Sequence, residues 1–172
     1  MLPIRRQGPV VKLGDGNLGG KARVLPFLQR LLDSSEINEE FAPHTIAVPE
    51  TWVLTTECFS EFVARNNLEE CAEIDSDNEV KRRFVAGALP RSIESTLKVY
   101  LDSHKLPLAV RSSALSEDTY HHATAGLFAT HFTPNIGPKR FRQLQQAVKL
   151  VFASAYFADV ARYMRTHSIP RE

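Results

Sequence analysis

A glycine-rich segment between a predicted strand and a predicted helix constrains the fold more than any other feature of this sequence. The apolar run at residues 10–13 predicts a short strand, and GDGNLGGKA follows it at Gly14–Ala22. Apolar residues at helical spacing from Lys21 to Leu32 then predict a helix, although Pro26 removes one of its backbone hydrogen bonds. Glycines let backbone N–H groups approach an anion, and a helix N-terminus favours negative charge. The segment is therefore a candidate anion site, with the charge of Lys21 beside it.

This segment has three possible interpretations, namely two nucleotide-binding motifs and an ordinary turn. Gly14, Gly16 and Gly19 have the spacing of a dinucleotide-binding domain, which also requires a strand ending in Asp or Glu about 20 residues later. Residues 34–40 show no strand pattern, so this alternative depends on a strand there. A Walker A loop does not fit, because Ala22 stands where Ser or Thr binds magnesium. The third interpretation is an ordinary turn followed by a surface lysine.

The rest of the chain mixes short strand patterns with helical ones. β-Branched and aromatic residues predict strands at Thr51–Thr55, Leu106–Ser112 and Gly126–Phe132. Helices are predicted from Thr55 or Thr56, from Ser76 to Ala88, from Pro90 to about His104, from Pro138 to Ala155 and from Tyr156 to Thr166, with a polar loop at Asp33–Glu40. This order predicts the α/β or α+β class, with a mixed sheet and flanking helices.

Composition and charge exclude several classes of protein. Of the 172 residues, 43% are hydrophobic, which is too many for a disordered chain. No apolar run approaches the roughly 20 residues of a membrane-spanning helix, and a net charge of +1 argues against nucleic acid as the main partner. Cys58 and Cys71 are too few for a disulfide framework or a four-ligand metal site. Because the N-terminus also lacks a signal-peptide pattern, we expect a reduced, cytoplasmic protein.

A second motif, LAVRSSA at Leu108–Ala114, places an arginine at the end of a predicted buried strand. Arg111 in that position suits bidentate contact with a phosphate, and an ion pair with Glu117–Asp118 is the ordinary alternative. Further along, Gly126 opens a predicted strand and Thr130 follows four residues later. A backbone N–H group and a hydroxyl placed in this way are candidate donors to a phosphate.

Taken together, these segments resemble the start of the nucleotide-binding domain of the phosphoenolpyruvate synthase and pyruvate phosphate dikinase family. Their order and spacing fit over nearly the whole chain, and the AVRSSALSED string is the most specific of them. The matching segments are GGKA at Gly19–Ala22, VPETWVLTTECFSEF at Val48–Phe62, AVRSSALSED at Ala109–Asp118, AG at Ala125–Gly126 and VFASAYFADVARYMRTHSIPRE at Val151–Glu172.

The resemblance implies an ATP-grasp fold, in which ATP binds in a cleft between two halves of the domain. In that family, phosphate passes to a histidine on a separate swivelling domain, and a third domain transfers it to an acceptor such as pyruvate. Lys21 and Arg111 match the family's phosphate-contacting lysine and arginine, and so are the expected catalytic residues. Ser112, Gly126 and Thr130 join them as expected ATP-binding residues. Mg²⁺ is the other expected cofactor, with ligands outside this chain.

The resemblance also implies that residues 1–172 are the N-terminal portion of the domain, without the other ATP-grasp half or the phosphohistidine and acceptor domains. The expected partners are ATP and those domains of a longer chain. We therefore expect the isolated chain to lack the full activity and to bind ATP weakly or not at all. A non-catalytic interaction or regulatory module that keeps the fold is the alternative.

The chain departs from the family pattern near the expected phosphate loop. Leu127 stands where the family usually has glutamine, and Ala123–Thr124 stand where it usually has Ser-Phe. The contacts made by this loop and the identity of the acceptor therefore stay open, because relatives phosphorylate pyruvate, rifamycin antibiotics or glucans through similar N-terminal regions.

Overall fold

The computed structural model describes residues 1–115, 124 and 126–169, and the structural statements below concern these residues. They form short strands, arranged in two small sheets, and flanking helices. The strands are β1 (Ile4–Gln7), β2 (Val10–Leu13), β3 (Thr51–Leu54), β4 (Leu108–Arg111) and β5 (Thr130–Thr133). The helices are α1 (Gly20–Asp33), α2 (Ile37–Glu40), α3 (Thr56–Arg65), α4 (Asp77–Ala86), α5 (Arg91–Ser103), α6 (Arg140–Ser154) and α7 (Ala158–Thr166), with a 3-10 turn at Glu69–Glu73.

The first sheet has the strand order β1-β2-β3 and mixes both pairing directions. β1 and β2 are antiparallel and pair Gln7 with Val10, which leaves Gly8 and Pro9 as a two-residue turn. Gly8 has a φ of 58°, a left-handed conformation that glycine adopts at low cost. β2 and β3 are parallel and pair Val10 with Thr51, so the chain between them must cross over, and α1 lies in that crossover.

The second sheet pairs β4 with β5 in antiparallel register, and α6 packs against both strands. One face of this sheet is turned toward the core and carries Val110 and Thr133. The other face is exposed and carries Arg111 and Phe132, the latter with 80% of its surface accessible. The sheet is thus buried on only one side, whereas the sequence pattern had predicted a buried strand at Leu106–Ser112.

The main hydrophobic core lies among α3, α4, α5 and α6. Phe62 is fully buried at its centre, with ring centroids 5.9 Å from Phe84 and 5.6 Å from Phe152. Such tilted aromatic contacts add to the free energy gained by burying the rings. Buried residues of this core are Cys58, Phe62, Val63, Leu68, Cys71, Val80, Phe84, Leu89, Ile93, Leu97, Leu101, Leu144, Val148 and Ala153.

Most predicted elements are present, and the predicted α/β class with a mixed sheet and flanking helices is confirmed. The predicted N-cap of α4 is also confirmed, because Ser76 Oγ accepts a hydrogen bond from the Glu79 N–H at 3.4 Å. Two predictions were wrong: α2 forms inside the predicted loop at residues 33–40, and β5 begins at Thr130 rather than Gly126. No helix in the described ranges is long and apolar enough to cross a membrane.

Asn66 ties the end of α3 to the turn that precedes α5. Its Nδ2 donates to the carbonyl oxygens of Phe62 at 2.7 Å and Ala88 at 3.1 Å, and its Oδ1 accepts from the Ala88 N–H at 2.8 Å.

The nearly isosteric Asn66→Asp variant loses both donors, so we expect the free energy of unfolding to fall by about 1–3 kcal/mol. Chemical denaturation measures the loss, and Asn67→Asp, at the adjacent exposed asparagine, should stay within about 0.5 kcal/mol of wild type. Equal losses for the two variants would contradict this role of Asn66.

Glu79 forms a small ion-pair network on α4. Its carboxylate accepts hydrogen bonds from Arg82 Nε and Nη2 at 2.7 Å and from Arg83 Nε at 2.9 Å, and these bonds lower its pKa from 4.5 to about 2. Because the pKa is lower in the folded state, the network stabilises the fold above pH 4.5, and this contribution is lost as the pH falls toward 2. Side-chain carbon NMR during an acid titration should show Glu79 titrating well below the other glutamates. Titration near pH 4.5 would show that the network does not persist in solution.

Candidate functional site

The start of α1 is bound by the residues that follow β4, far away in the sequence. The Gly20 N–H donates to the Ala114 carbonyl at 2.9 Å, and the Ala22 N–H donates to Ser113 Oγ at 3.0 Å. The Ser113 hydroxyl in turn donates to the Leu18 carbonyl at 2.9 Å. A helix leaves its first N–H groups without partners inside the helix, and a nearby side chain usually accepts from them. Here the N-cap residue has no side chain, and Ser113 supplies the acceptor from 91 positions away.

Gly19 allows the start of α1 to lie this close to Ser113. Its φ is 77°, and a Cβ added to it would lie 1.5 Å from the Ser113 carbonyl oxygen and 2.4 Å from the Ser113 carbonyl carbon. Both the conformation and the space therefore require glycine. We call this junction, formed by residues 18–22 with Ser113 and Ala114, the Gly19–Ser113 contact.

The remaining glycines of the loop pack against the start of α3. A Cβ added to Gly14 would lie 2.6 Å from Thr55 Oγ1, and one added to Gly16 would lie 2.7 Å from the Glu57 nitrogen. The backbone of the loop also donates hydrogen bonds to side chains at the same helix start. The Asp15 N–H donates to Glu57 Oε2 and the Asn17 N–H donates to Thr56 Oγ1, both at 3.1 Å. The glycines thus serve close packing within the protein.

These hydrogen bonds correct the interpretation of the glycine-rich segment as a phosphate-binding loop. The N–H groups of Asp15, Asn17, Gly20 and Ala22 already donate to protein acceptors, so they are not available to an anion. The dinucleotide alternative is also wrong, because residues 34–40 contain the helix α2 where that domain requires a strand. Lys21, in the first turn of α1, is the residue of this segment that the family resemblance predicts to contact phosphate.

The Gly19–Ser113 contact brings the backbones of the two predicted phosphate-binding cations together. Lys21 is half-buried and lies between Gly20 and Ala22, the two residues whose N–H groups bind the segment after β4. Arg111 is exposed and lies two residues before Ser113. Ser112, also a predicted ATP-binding residue, lies between Arg111 and Ser113 and is half-buried. The contact therefore joins a helix start and the segment after a strand, distant in sequence, close to the two residues that were predicted to bind phosphate.

Thr130 joins this site through the strand pairing. Arg111 and Thr130 are directly opposite each other in the antiparallel register of β4 and β5, and both are exposed. Opposite residues in an antiparallel pair carry their side chains on the same face, with Cβ atoms about 5 Å apart. The structure therefore places the side chain of Thr130 beside that of Arg111, on the exposed face of the second sheet.

Gly126 lies in a turn before β5. The Leu127 N–H donates to the Thr124 carbonyl at 3.1 Å, and Gly126 has a φ of 79°. No atom lies within 4 Å of a Cβ added to it, so only the backbone conformation requires glycine there. The acidic residues Glu117–Asp118, which are the predicted alternative partners of Arg111, lie outside the described residues.

Two further features of the region were not predicted from the sequence. Ser113 was expected only as a neighbour of Arg111, and its role in capping α1 depends on a long-range contact that no local pattern signals. Leu127 lines an open groove of about 370 Å³ against α7, together with Asp159, Arg162, Tyr163, Thr166 and His167. Among the residues that the structure describes, no group of three or more His, Cys, Asp or Glu side chains could hold a metal ion.

Gly19 and Gly126, which both have a positive φ, provide a paired test of the junction. Gly19→Ala and Gly126→Ala both place alanine in a strained conformation that costs about 1–3 kcal/mol, and Gly19, with a ψ of 173°, lies in a region that is essentially restricted to glycine. Only Gly19→Ala also displaces Ser113, and we expect it to lower the free energy of unfolding by roughly 2 kcal/mol more. Chemical denaturation of the two variants measures this difference. Similar losses would show that the close approach of Gly19 and Ser113 is not formed in solution.

Comparison with known proteins gives one match to this chain. A family model described as the AMP/ATP-binding domain of pyruvate phosphate dikinase matches residues 16–172. Neither the comparison with curated proteins nor the comparison with solved structures found a significant match. The matched range includes every residue of the Gly19–Ser113 contact and all five predicted site residues.

Proposed function

Because this chain belongs to the family of pyruvate phosphate dikinase AMP/ATP-binding domains, we propose that it binds ATP phosphates through Lys21 and Arg111. In this proposal, residues 1–172 are the N-terminal part of an ATP-grasp domain. Ser112, Gly126 and Thr130 complete the set of residues around the phosphates. Family membership establishes the broader statement that the chain is part of a nucleotide-binding domain of the dikinase type.

The observation that carries the proposal is the Gly19–Ser113 contact. Without it, a lysine on the first turn of α1 and an arginine at the end of β4 would have no reason to lie near each other. With it, the Gly20 N–H binds the Ala114 carbonyl at 2.9 Å, which joins the segment that carries Lys21 to the segment that follows Arg111. Two cations from separate elements that bind the same phosphates form the kind of site that holds a polyphosphate.

The two cations would contribute differently to phosphate binding. Lys21 supplies a compact point charge, whereas the planar guanidinium of Arg111 can donate two parallel hydrogen bonds to one phosphate group. Thr130, across the strand pair, adds a hydroxyl donor beside Arg111. Phosphoryl transfer depends mainly on positioning and charge stabilisation, and such fixed donors provide both.

We further propose a reaction in which phosphate passes from ATP to a histidine on another domain, and then to an acceptor such as pyruvate. No histidine of this chain is assigned that role. Mg²⁺ would neutralise charge on the phosphates, and its ligands are proposed to lie outside this chain. By itself, the chain is expected to bind ATP weakly or not at all and to catalyse no complete reaction.

Charge-removing variants test the two proposed phosphate contacts. Lys21→Gln and Arg111→Gln should each weaken ATP binding by roughly tenfold or more, because a hydrogen bond to a charged group is worth about 1.5–3 kcal/mol. Phosphorus NMR of ATP, titrated with the chain at millimolar concentrations, measures such weak affinities. Arg65→Gln is the control, because it removes an exposed cation in the last turn of α3 and should leave the affinity unchanged.

The outcomes separate the proposed function from its alternative. Unchanged ATP affinity in both site variants would remove the roles of Lys21 and Arg111. A folded chain that includes the other half of the domain and still does not bind ATP would favour the non-catalytic module instead. Tight binding with turnover by this chain alone would contradict the proposal that other domains are needed.

A further inference from the structure

The exposed face of the second sheet is divided into a polar end and an apolar end. The pair Arg111 and Thr130 lies at the end where β4 finishes, and both residues are exposed. The next pair on the same face, Ala109 and Phe132, is also exposed, and 80% of the surface of Phe132 is accessible. Side chains two residues apart on a strand share a face, so one surface passes from a cation and a hydroxyl to an aromatic ring.

Further apolar side chains are exposed at the same end of the sheet as Phe132. Leu106, before β4, is 78% exposed, and Ile136, after β5, is 69% exposed. Asn135 Nδ2 donates to the Leu106 carbonyl at 3.0 Å and to the His104 carbonyl at 2.9 Å, which holds the segment after β5 against the segment before β4. Large apolar side chains exposed together in this way are typical of a surface that binds a ligand or another protein.

A nucleoside triphosphate has the same order of chemical groups as this face. Its anionic phosphates and its flat aromatic base are separated by one ribose. Arg111 and Phe132 are diagonal neighbours across the strand pair, a position about 7–8 Å apart that long and aromatic side chains can span. A ligand whose phosphates contact Arg111 and Thr130 can therefore place its base over the ring of Phe132.

We propose that Phe132 is the base-stacking residue for the nucleotide whose phosphates contact Arg111 and Thr130, an inference that rests on the phosphate site of the proposed function. Every nucleobase has a flat aromatic face, so stacking on a ring does not depend on the identity of the base. The exposed side chains at the apolar end carry no hydrogen-bond donor or acceptor. This end therefore recognises the plane of a base, and not the edge that distinguishes adenine from guanine.

Paired titrations with ATP and inorganic tripolyphosphate test this assignment, because only ATP carries a base. Phe132→Ser should weaken ATP binding by roughly fivefold or more and leave tripolyphosphate affinity unchanged. GTP binding should weaken by the same factor as ATP binding. Phe132→Tyr keeps the ring and should keep the affinity, and Phe27→Ser, at a phenylalanine of α1 that is 55% exposed, should change neither affinity.

Proton and phosphorus NMR measure these affinities, and circular dichroism checks that each variant is folded. The base protons of ATP should shift to lower frequency over the ring of Phe132 in the wild-type protein, and this shift should be absent in Phe132→Ser. The titrations use this chain at millimolar concentration, or a chain that includes the other half of the domain if this chain alone does not bind ATP.

Three results would overturn the assignment of Phe132. The first is an unchanged ATP affinity in folded Phe132→Ser, and the second is the absence of a shift of the base protons with the wild-type protein. The third is an equal loss of tripolyphosphate affinity, because Phe132 would then act on the phosphate site. Arg111→Gln separates the two claims, since an unchanged tripolyphosphate affinity in that variant would contradict the proposed phosphate site and not the stacking contact.

Discussion

The close approach of Gly19 to Ser113 is the constraint on which the described structure of the site depends. One serine hydroxyl accepts from the Ala22 N–H and donates to the Leu18 carbonyl, and the neighbouring Ala114 carbonyl accepts from the Gly20 N–H. These three bonds join the beginning of α1, which follows β2 of the first sheet, to the residues after β4 of the second. The position of each segment relative to the other is therefore set by backbone groups and by the hydroxyl of Ser113.

This arrangement separates the structural and the binding roles within one short sequence. A glycine-rich loop before a helix is often treated as a cradle whose N–H groups receive phosphate. In this chain the N–H groups of Asp15 and Asn17 bind the start of α3, those of Gly20 and Ala22 bind the residues after β4, and the glycines allow that close packing. In the proposed function, anions are bound instead by the cationic side chains of Lys21 and Arg111.

Local signals in the sequence were sufficient to predict most of the helices and strands. Ser76 predicts the start of α4, since a hydroxyl three residues before Glu79 is a local helix-capping pattern. The β-branched and aromatic run at Thr51–Leu54 likewise predicts a strand. β1 was not predicted, because all four of its residues are exposed and it forms only by pairing with β2. The short helix α2 was missed for a similar reason, since its polar residues show no apolar face.

The candidate site was only partly predictable. Its cations were identified from residue type, position and resemblance, because an arginine after a strand and a lysine at a helix start each suit phosphate. The contact that joins them depends on a glycine with a positive φ and on a serine 91 positions from its partner, and no local pattern contains both. The opposition of Arg111 and Thr130 required the strand register, which the sequence alone does not specify.

The central claim is that Lys21 and Arg111 bind the same polyphosphate. Nitrogen-15 NMR of the chain, titrated with inorganic tripolyphosphate, tests this claim without the rest of a nucleotide. The account predicts that the side-chain signals of Lys21 and Arg111 shift together with one common dissociation constant, while that of Arg65 does not move. Shifts at only one of the two cations, or at both with different dissociation constants, would contradict it.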